Sequence, residues 1–293
     1  MSIRISGKRG AKKHYRAWLF VFLLPIFVAA VGCLIGARSA PQPSAGQVAD
    51  QASQIQAAPT ADRQYVYGGL PRTTAVGMDL KVLCNKGYLV GYWENRKNPA
   101  WVAYRLFRVE NPPTYPRPTK FLADNRTEAK VKPTDYTGSG YDRGHMAPNY
   151  AIATRYGPEA QLETFLMSNI CPQRPALNQR AWKRLEEVEA NDFANRLEEI
   201  WVLVGPIFGE DGQKLPSSVD VPKAFYKIMV DEVAGKPRMI AFIMPQEVKG
   251  TEPSEQFLAS VNRIEKLTHL DFFWELEDGL EEKLEAETAT DLW

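Results

Sequence analysis

Apolar residues along this chain come in short runs. GYLVGYW (Gly87 to Trp93), WVAYRLF (Trp101 to Phe107), EIWVLVGPIF (Glu199 to Phe208), FYKIMV (Phe225 to Val230) and MIAFIMP (Met239 to Pro245) are each about one strand long. Runs of this length, rich in aliphatic and aromatic residues, predict strands. Two segments have helical spacing instead. One runs from Asn178 to about Glu199; the other runs from Ser254 to about Leu267, where Phe257, Leu258, Val261, Ile264 and Leu267 recur on one face. Strand runs with a few inserted helices predict an α+β domain whose helices pack on a sheet, and argue against a doubly wound one.

One stretch breaks the pattern. AWLFVFLLPIFVAAVGCLIGA, Ala17 to Ala37, is apolar throughout and carries no charge. A helix of about 20 apolar residues spans a bilayer, so residues 17–37 are expected to be a transmembrane anchor. Arg4, Lys8, Arg9, Lys12, Lys13 and Arg16 make residues 1–16 a basic N-terminal segment. That flank predicts a cytoplasmic N-terminus and a membrane-anchored domain on the non-cytoplasmic side. The alternative is a signal peptide cleaved in SAPQPSAG, giving a secreted or periplasmic protein, and Ala30-Val31-Gly32-Cys33 is an imperfect lipoprotein box. Residues 38–63 are rich in Ala, Gln, Pro and Ser and poor in large apolar side chains, the composition of a flexible linker. A single folded domain is then expected over residues 64–276, with residues 277–293 as an acidic, solvated C-terminal tail.

The formal net charge of +1 conceals this partition. Seven basic residues and no acids precede residue 41, eight acids follow Trp274, and residues 41–274 balance at 28 basic and 27 acidic. The domain is therefore not a basic, nucleic-acid-coating protein, and any affinity for phosphate must come from a local cluster. Three cysteines, Cys33, Cys84 and Cys171, make no disulfide framework; at most Cys84 and Cys171 could pair after export.

Two segments carry chemistry. YTGSGYDRGHMAPNYAI, Tyr136 to Ile152, brings Asp142, Arg143, Gly144 and His145 together after a Gly-rich approach. Neutral imidazole accepts a proton at physiological pH, and the guanidinium fork suits phosphate. A lone histidine is more often structural, but the chain has only three, and His14 and His269 lie in the basic leader and at a helix end. FLMSNICPQRPALNQRAWKRLEE, Phe165 to Glu187, places Asn178 where a helix would start. Asn178 is either an N-cap or an oxygen ligand for a hard cation such as Mg²⁺. Glu186 follows eight residues later, ~12 Å along a regular helix, a separation that suits contact through water.

YDRGHMAPN together with SNICPQ, LNQ, AW and RLE resembles the DNA/RNA non-specific endonuclease family, the ββα-metal or His-Me finger nucleases. The likeness runs from about Tyr65 to Leu276. It implies a ββα-metal domain with a central antiparallel sheet flanked by helices, and an endonuclease that hydrolyses DNA and RNA with little sequence preference. Its cofactor would be Mg²⁺ or another divalent cation such as Mn²⁺. On this resemblance His145 is the general base, Asn178 the direct metal ligand, and Glu186 orients water around the cation. Asn169 supports the site geometry or the phosphate, Arg143 meets the phosphate, and Arg117, four residues before Phe121 and followed by Asp124, is a second arginine with Arg126 as its rival. DNA and RNA are the implied partners, with the membrane engaged through the N-terminal helix. The oligomeric state stays open, a homodimer among the options.

Overall fold

All five apolar runs become strands of one antiparallel sheet. In this computed structural model, which describes residues 62–293, they are β3 (Tyr88–Trp93), β4 (Asn98–Phe107), β7 (Glu199–Ile207), β8 (Ala224–Val233) and β9 (Lys236–Pro245). The edges are β2 (Lys81–Asn85) and β10 (Leu258–Ala259), giving the order β10-β9-β8-β7-β4-β3-β2. A small pair, β1 (Arg72–Thr73) and β11 (Leu270–Asp271), stands apart. The expected membrane segment, residues 17–37, and the linker up to residue 61 lie outside the described residues. Among the described residues no helix is long and apolar enough to cross a membrane.

The central strands read as continuous apolar runs because both faces of the sheet are covered. On one face Val90, Tyr104, Val202, Phe225 and Met229 pack against Ile152, Leu177, Trp182, Leu185 and Phe193. On the other, Trp101, Leu203, Tyr226 and Ile228 pack against Val261, Ile264 and Phe272. Every sheet neighbour is also a chain neighbour except β4 and β7, and the 91 residues between them, 108–198, carry the first layer. That insertion holds a short antiparallel ribbon, β5 (Asp142–His145) with β6 (Ile170–Gln173), and two helices. Helix α1 spans Asn149–Glu163. Helix α2 begins as a π-helix at Leu177–Trp182, continues as α-helix over Lys183–Val188, returns to π over Glu189–Phe193, and ends at Ala194–Arg196.

Two expectations need correction. The helix predicted from Ser254 to Leu267 is split: Ser254–Phe257 is a 3₁₀ turn, β10 follows on the sheet edge, and the α-helix, α3, covers only Val261–Thr268. Ser260 accepts a hydrogen bond from the Arg263 amide and so starts α3 there. The acidic stretch expected as a solvated tail contains helix α4 (Asp278–Ala286), with Leu284 and Glu285 buried, and Trp293 rests on Phe193 at 5.6 Å between ring centroids. No disulfide joins Cys84, which is exposed, to Cys171, which is buried in the layer above the sheet.

Candidate active site

The ribbon and α2 together make a strand-strand-helix unit that places both informative segments side by side. β5 and β6 pair His145 with Ile170, Gly144 with Cys171, Arg143 with Pro172 and Asp142 with Gln173. Only glycine fits at 144, because a Cβ there would overlap the Gln173 side chain. The chain leaves β6 through Gln173 and enters α2 at once. One cleft of about 610 Å³ results, lined by Arg117, Arg143, His145, Asn178, Lys183 and Glu186 among others.

His145 is buried, 9% exposed, in an aromatic cage. Its ring centroid lies 4.9 Å from Phe165 and 5.4 Å from Phe121, and those two rings are 4.9 Å apart. Burial, with the nearby Arg117 charge, holds its pKa down to about 3, so the ring is neutral at physiological pH. Its Nε2 is buried without a hydrogen-bond partner. A buried polar atom left without a partner is costly, and the residue that carries it lines the cleft.

Asn178 is not the N-cap. It lies inside the π segment, where its Nδ2 donates to Asp142 Oδ2 at 2.9 Å. Gln179 Nε2 donates to the same oxygen at 2.8 Å. Because Asp142 takes the nitrogen, the carboxamide oxygen is what Asn178 offers to the cleft. Asp142 thus fixes the amide orientation, a role that the acid of the DRGH segment could have signalled and that sequence reasoning left unassigned.

Glu186 lies on the same wall. In a regular α-helix, side chains eight residues apart are ~80° apart around the axis. The π winding of Leu177–Trp182 absorbs one extra residue, which cuts the offset to ~20° and turns Glu186 toward the side of Asn178. Glu186 is half-buried, and burial pushes its carboxyl up to about 7, against the opposing pull of Lys227.

The arginines divide cleanly. Arg117 is exposed, lines the cleft, and lies 5.1 Å from the Phe165 ring centroid. Arg126, its rival, is tied to Asp124 through Nε and Nη2, to the Cys84 carbonyl at 2.7 Å and to Asn85 Oδ1 at 2.7 Å, and does not line the cleft. Arg143 lines the cleft with its guanidinium anchored by two donors on the Pro133 carbonyl, at 3.1 and 2.6 Å, and stacked 5.5 Å from Phe121. Asn169 does not reach the cleft. Fully buried, it accepts from the Ala147 amide at 2.8 Å and donates to the carbonyls of Ala147 and Thr164, so it staples the backbone just after His145 and leaves nothing for phosphate.

The oxygen donors that the π winding brings to one side of α2 are the Asn178 carboxamide and the Glu186 carboxylate, while Asn149, Gln179, Glu187 and Asn191 also line the cleft. Among the described residues no three His, Cys, Asp or Glu side chains group as a metal cage. A sparse oxygen set of this kind fits a hard divalent ion that keeps most of its water, as Mg²⁺ does.

The model of the DNA/RNA non-specific endonuclease family matches residues 70–279. The mitochondrial nuclease EXOG of Homo sapiens is 31% identical over 219 residues, covering 65% of this chain and 56% of EXOG. A nuclease of Nostoc sp. is 29% identical over 227 residues, covering 73% of this chain and 80% of that protein. Human mitochondrial endonuclease G is 33% identical over 171 residues, 53% of this chain and 57% of the enzyme. Among solved structures, the EndoG/EndoGI complex matches with a TM-score of 0.64 and 26% identity, covering 76% of this chain and 95% of that one. The chain thus spans little more than half the length of the two human relatives.

Proposed function

Because this chain belongs to the DNA/RNA non-specific endonuclease family, we propose that it hydrolyses internal phosphodiester bonds of DNA and RNA with a divalent cation, Mg²⁺ or Mn²⁺. One observation carries this reading: a neutral, buried imidazole with an unpartnered Nε2 and a carboxamide oxygen fixed by Asp142 line the same cleft as two arginines.

His145 Nε2 takes a proton from water as the water oxygen attacks phosphorus and the bond to the leaving 3′ oxygen breaks. Arg143 and Arg117 hold non-bridging oxygens and offset the charge that grows on them. Asn178 would hold the cation and Glu186 would orient the water around it; the cation would supply Lewis acidity to the phosphoryl group and its leaving oxygen. Phe121 and Phe165 keep the base desolvated and fixed in direction. None of these groups reads a base edge, and contacts to phosphate position a strand without specifying sequence. The attack does not use a 2′-hydroxyl, so both polymers serve as substrates.

The charge-free N-terminal run behind a basic flank supports a site of action outside the cytoplasm, either tethered or released by cleavage. Incubation with supercoiled plasmid or RNA tests the chemistry. Cleavage is expected with Mg²⁺ and is expected to stop with a chelator. His145→Ala should lower turnover by ~10²-fold or more. Near-normal turnover by that variant would falsify the assignment, and binding without cleavage by the unaltered protein would refute the enzyme.

A further inference from the structure

Behind the cleft lies a buried charge pair that the chemistry above does not use. The Lys227 ammonium and the Glu189 carboxylate form an ion pair, and both side chains are completely shielded from solvent. The Tyr104 hydroxyl donates to Glu189 Oε1 at 2.6 Å, and Lys227 Nζ lies 5.0 Å from the centroid of the Trp182 ring. None of the four residues lines the cleft.

Stability alone explains such a pair poorly. Replacing a buried ion pair by apolar residues of similar size is often neutral or stabilising, because burial desolvates both charges. Strand alternation on β8 points Phe225, Lys227 and Met229 at the same layer, and the two flanking residues are apolar and buried there. The placement is more telling. Trp182 closes the π segment that carries Asn178, and Glu189 opens the second π segment. Lys227 therefore touches α2 at both joints that bracket Lys183–Val188, the turn and a half that presents Glu186. Its positive charge also draws the Glu186 carboxyl down, against burial and against Glu189.

We propose that Lys227 and Glu189, steadied by Tyr104, are positioning residues for the cation site, holding the two π-wound joints of α2 so that Glu186 and Asn178 face the cleft together. The inference rests on the nuclease reading, and the test separates the two. Mg²⁺ binding to the full-length protein is measured by calorimetry without nucleic acid, alongside thermal midpoint, kcat and KM. The double variant Lys227→Met with Glu189→Leu should melt at or above the wild-type temperature yet bind Mg²⁺ 10–100-fold more weakly, as loss of an outer support around a metal does. KM for nucleic acid should be unchanged. A folded double variant with wild-type Mg²⁺ affinity overturns the proposal. Should that variant fail to fold, Tyr104→Phe decides: affinity lower by roughly three- to tenfold supports the proposal, and unchanged affinity overturns it. A wild-type protein that binds no Mg²⁺ at all overturns the nuclease reading itself, and this inference with it.

Discussion

At the scale of single residues, neighbours in sequence have been given different tasks. Arg117 and Arg126 looked interchangeable, since each stands close to the Phe121–Asp124 pattern. Asp124 settles the choice: 3% exposed, it binds Arg126 and the Ser168 hydroxyl, so Arg126 is structural. Arg117→Ala is expected to lower kcat/KM by ~10-fold or more with no change in melting temperature. Arg126→Ala should instead destabilise the fold by about 1–3 kcal/mol, by leaving a buried carboxylate short of donors, and comparing melting curves with kinetics for the two variants checks both. Glu186 gives a pH prediction. Its folded-state pKa of about 7 lies above its ordinary 4.5, so the stability this group contributes is complete below 4.5 and is lost as pH rises through 7. Occupation of the proposed site by a cation is expected to displace that proton. Calorimetric titrations near pH 6 in buffers of different ionisation heats should show proton release, which Glu186→Gln abolishes; heats independent of the buffer would contradict it. His145 stood out as the candidate base because few histidines compete with it, whereas its depressed pKa could not be read, since that depends on Phe121 and Phe165 arriving from distant parts of the chain.

At the scale of elements, the strands were legible and the irregular helices were not. Continuous apolar runs announced β3, β4, β7, β8 and β9 because each is covered on both sides. β5 and β6 escaped notice: a ribbon of four-residue strands reading DRGH and ICPQ has no apolar period to detect. α1 was missed too, for Gly157 at φ 88° and Pro158 interrupt it. The extent of α2 was read almost correctly, but π winding leaves no trace in composition, and it is this winding that brings Glu186 round toward Asn178. The ribbon's tolerance is narrow. Gly144→Ala would drive a methyl into Gln173, and such overpacking typically costs about 1–3 kcal/mol. A lower thermal midpoint together with reduced turnover is expected, because Arg143 and His145 flank the clash. A variant with wild-type midpoint and rate would show that Gln173 can step aside.

At the scale of the whole molecule, the sheet is a platform and the insertion between β4 and β7 is the instrument mounted on it. The near-neutral domain makes a further prediction about substrate capture. With 28 basic and 27 acidic residues over positions 41–274, and only Arg117, Arg143 and Lys183 supplying positive charge to the cleft, about two or three phosphates would be neutralised. Affinity for duplex DNA should then fall with salt with a log–log slope of about −2 to −3. A titration of binding against NaCl that gives a slope near −8 would reveal an extensive basic track elsewhere. The sparse oxygen set around Asn178 has its own corollary. An ion gripped by so few protein atoms is a visitor and not a rivet, so chelation should silence the molecule without unravelling it, and returning the ion should revive it within the mixing time. On the proposed function, the mineral content of its surroundings would then decide when the protein works.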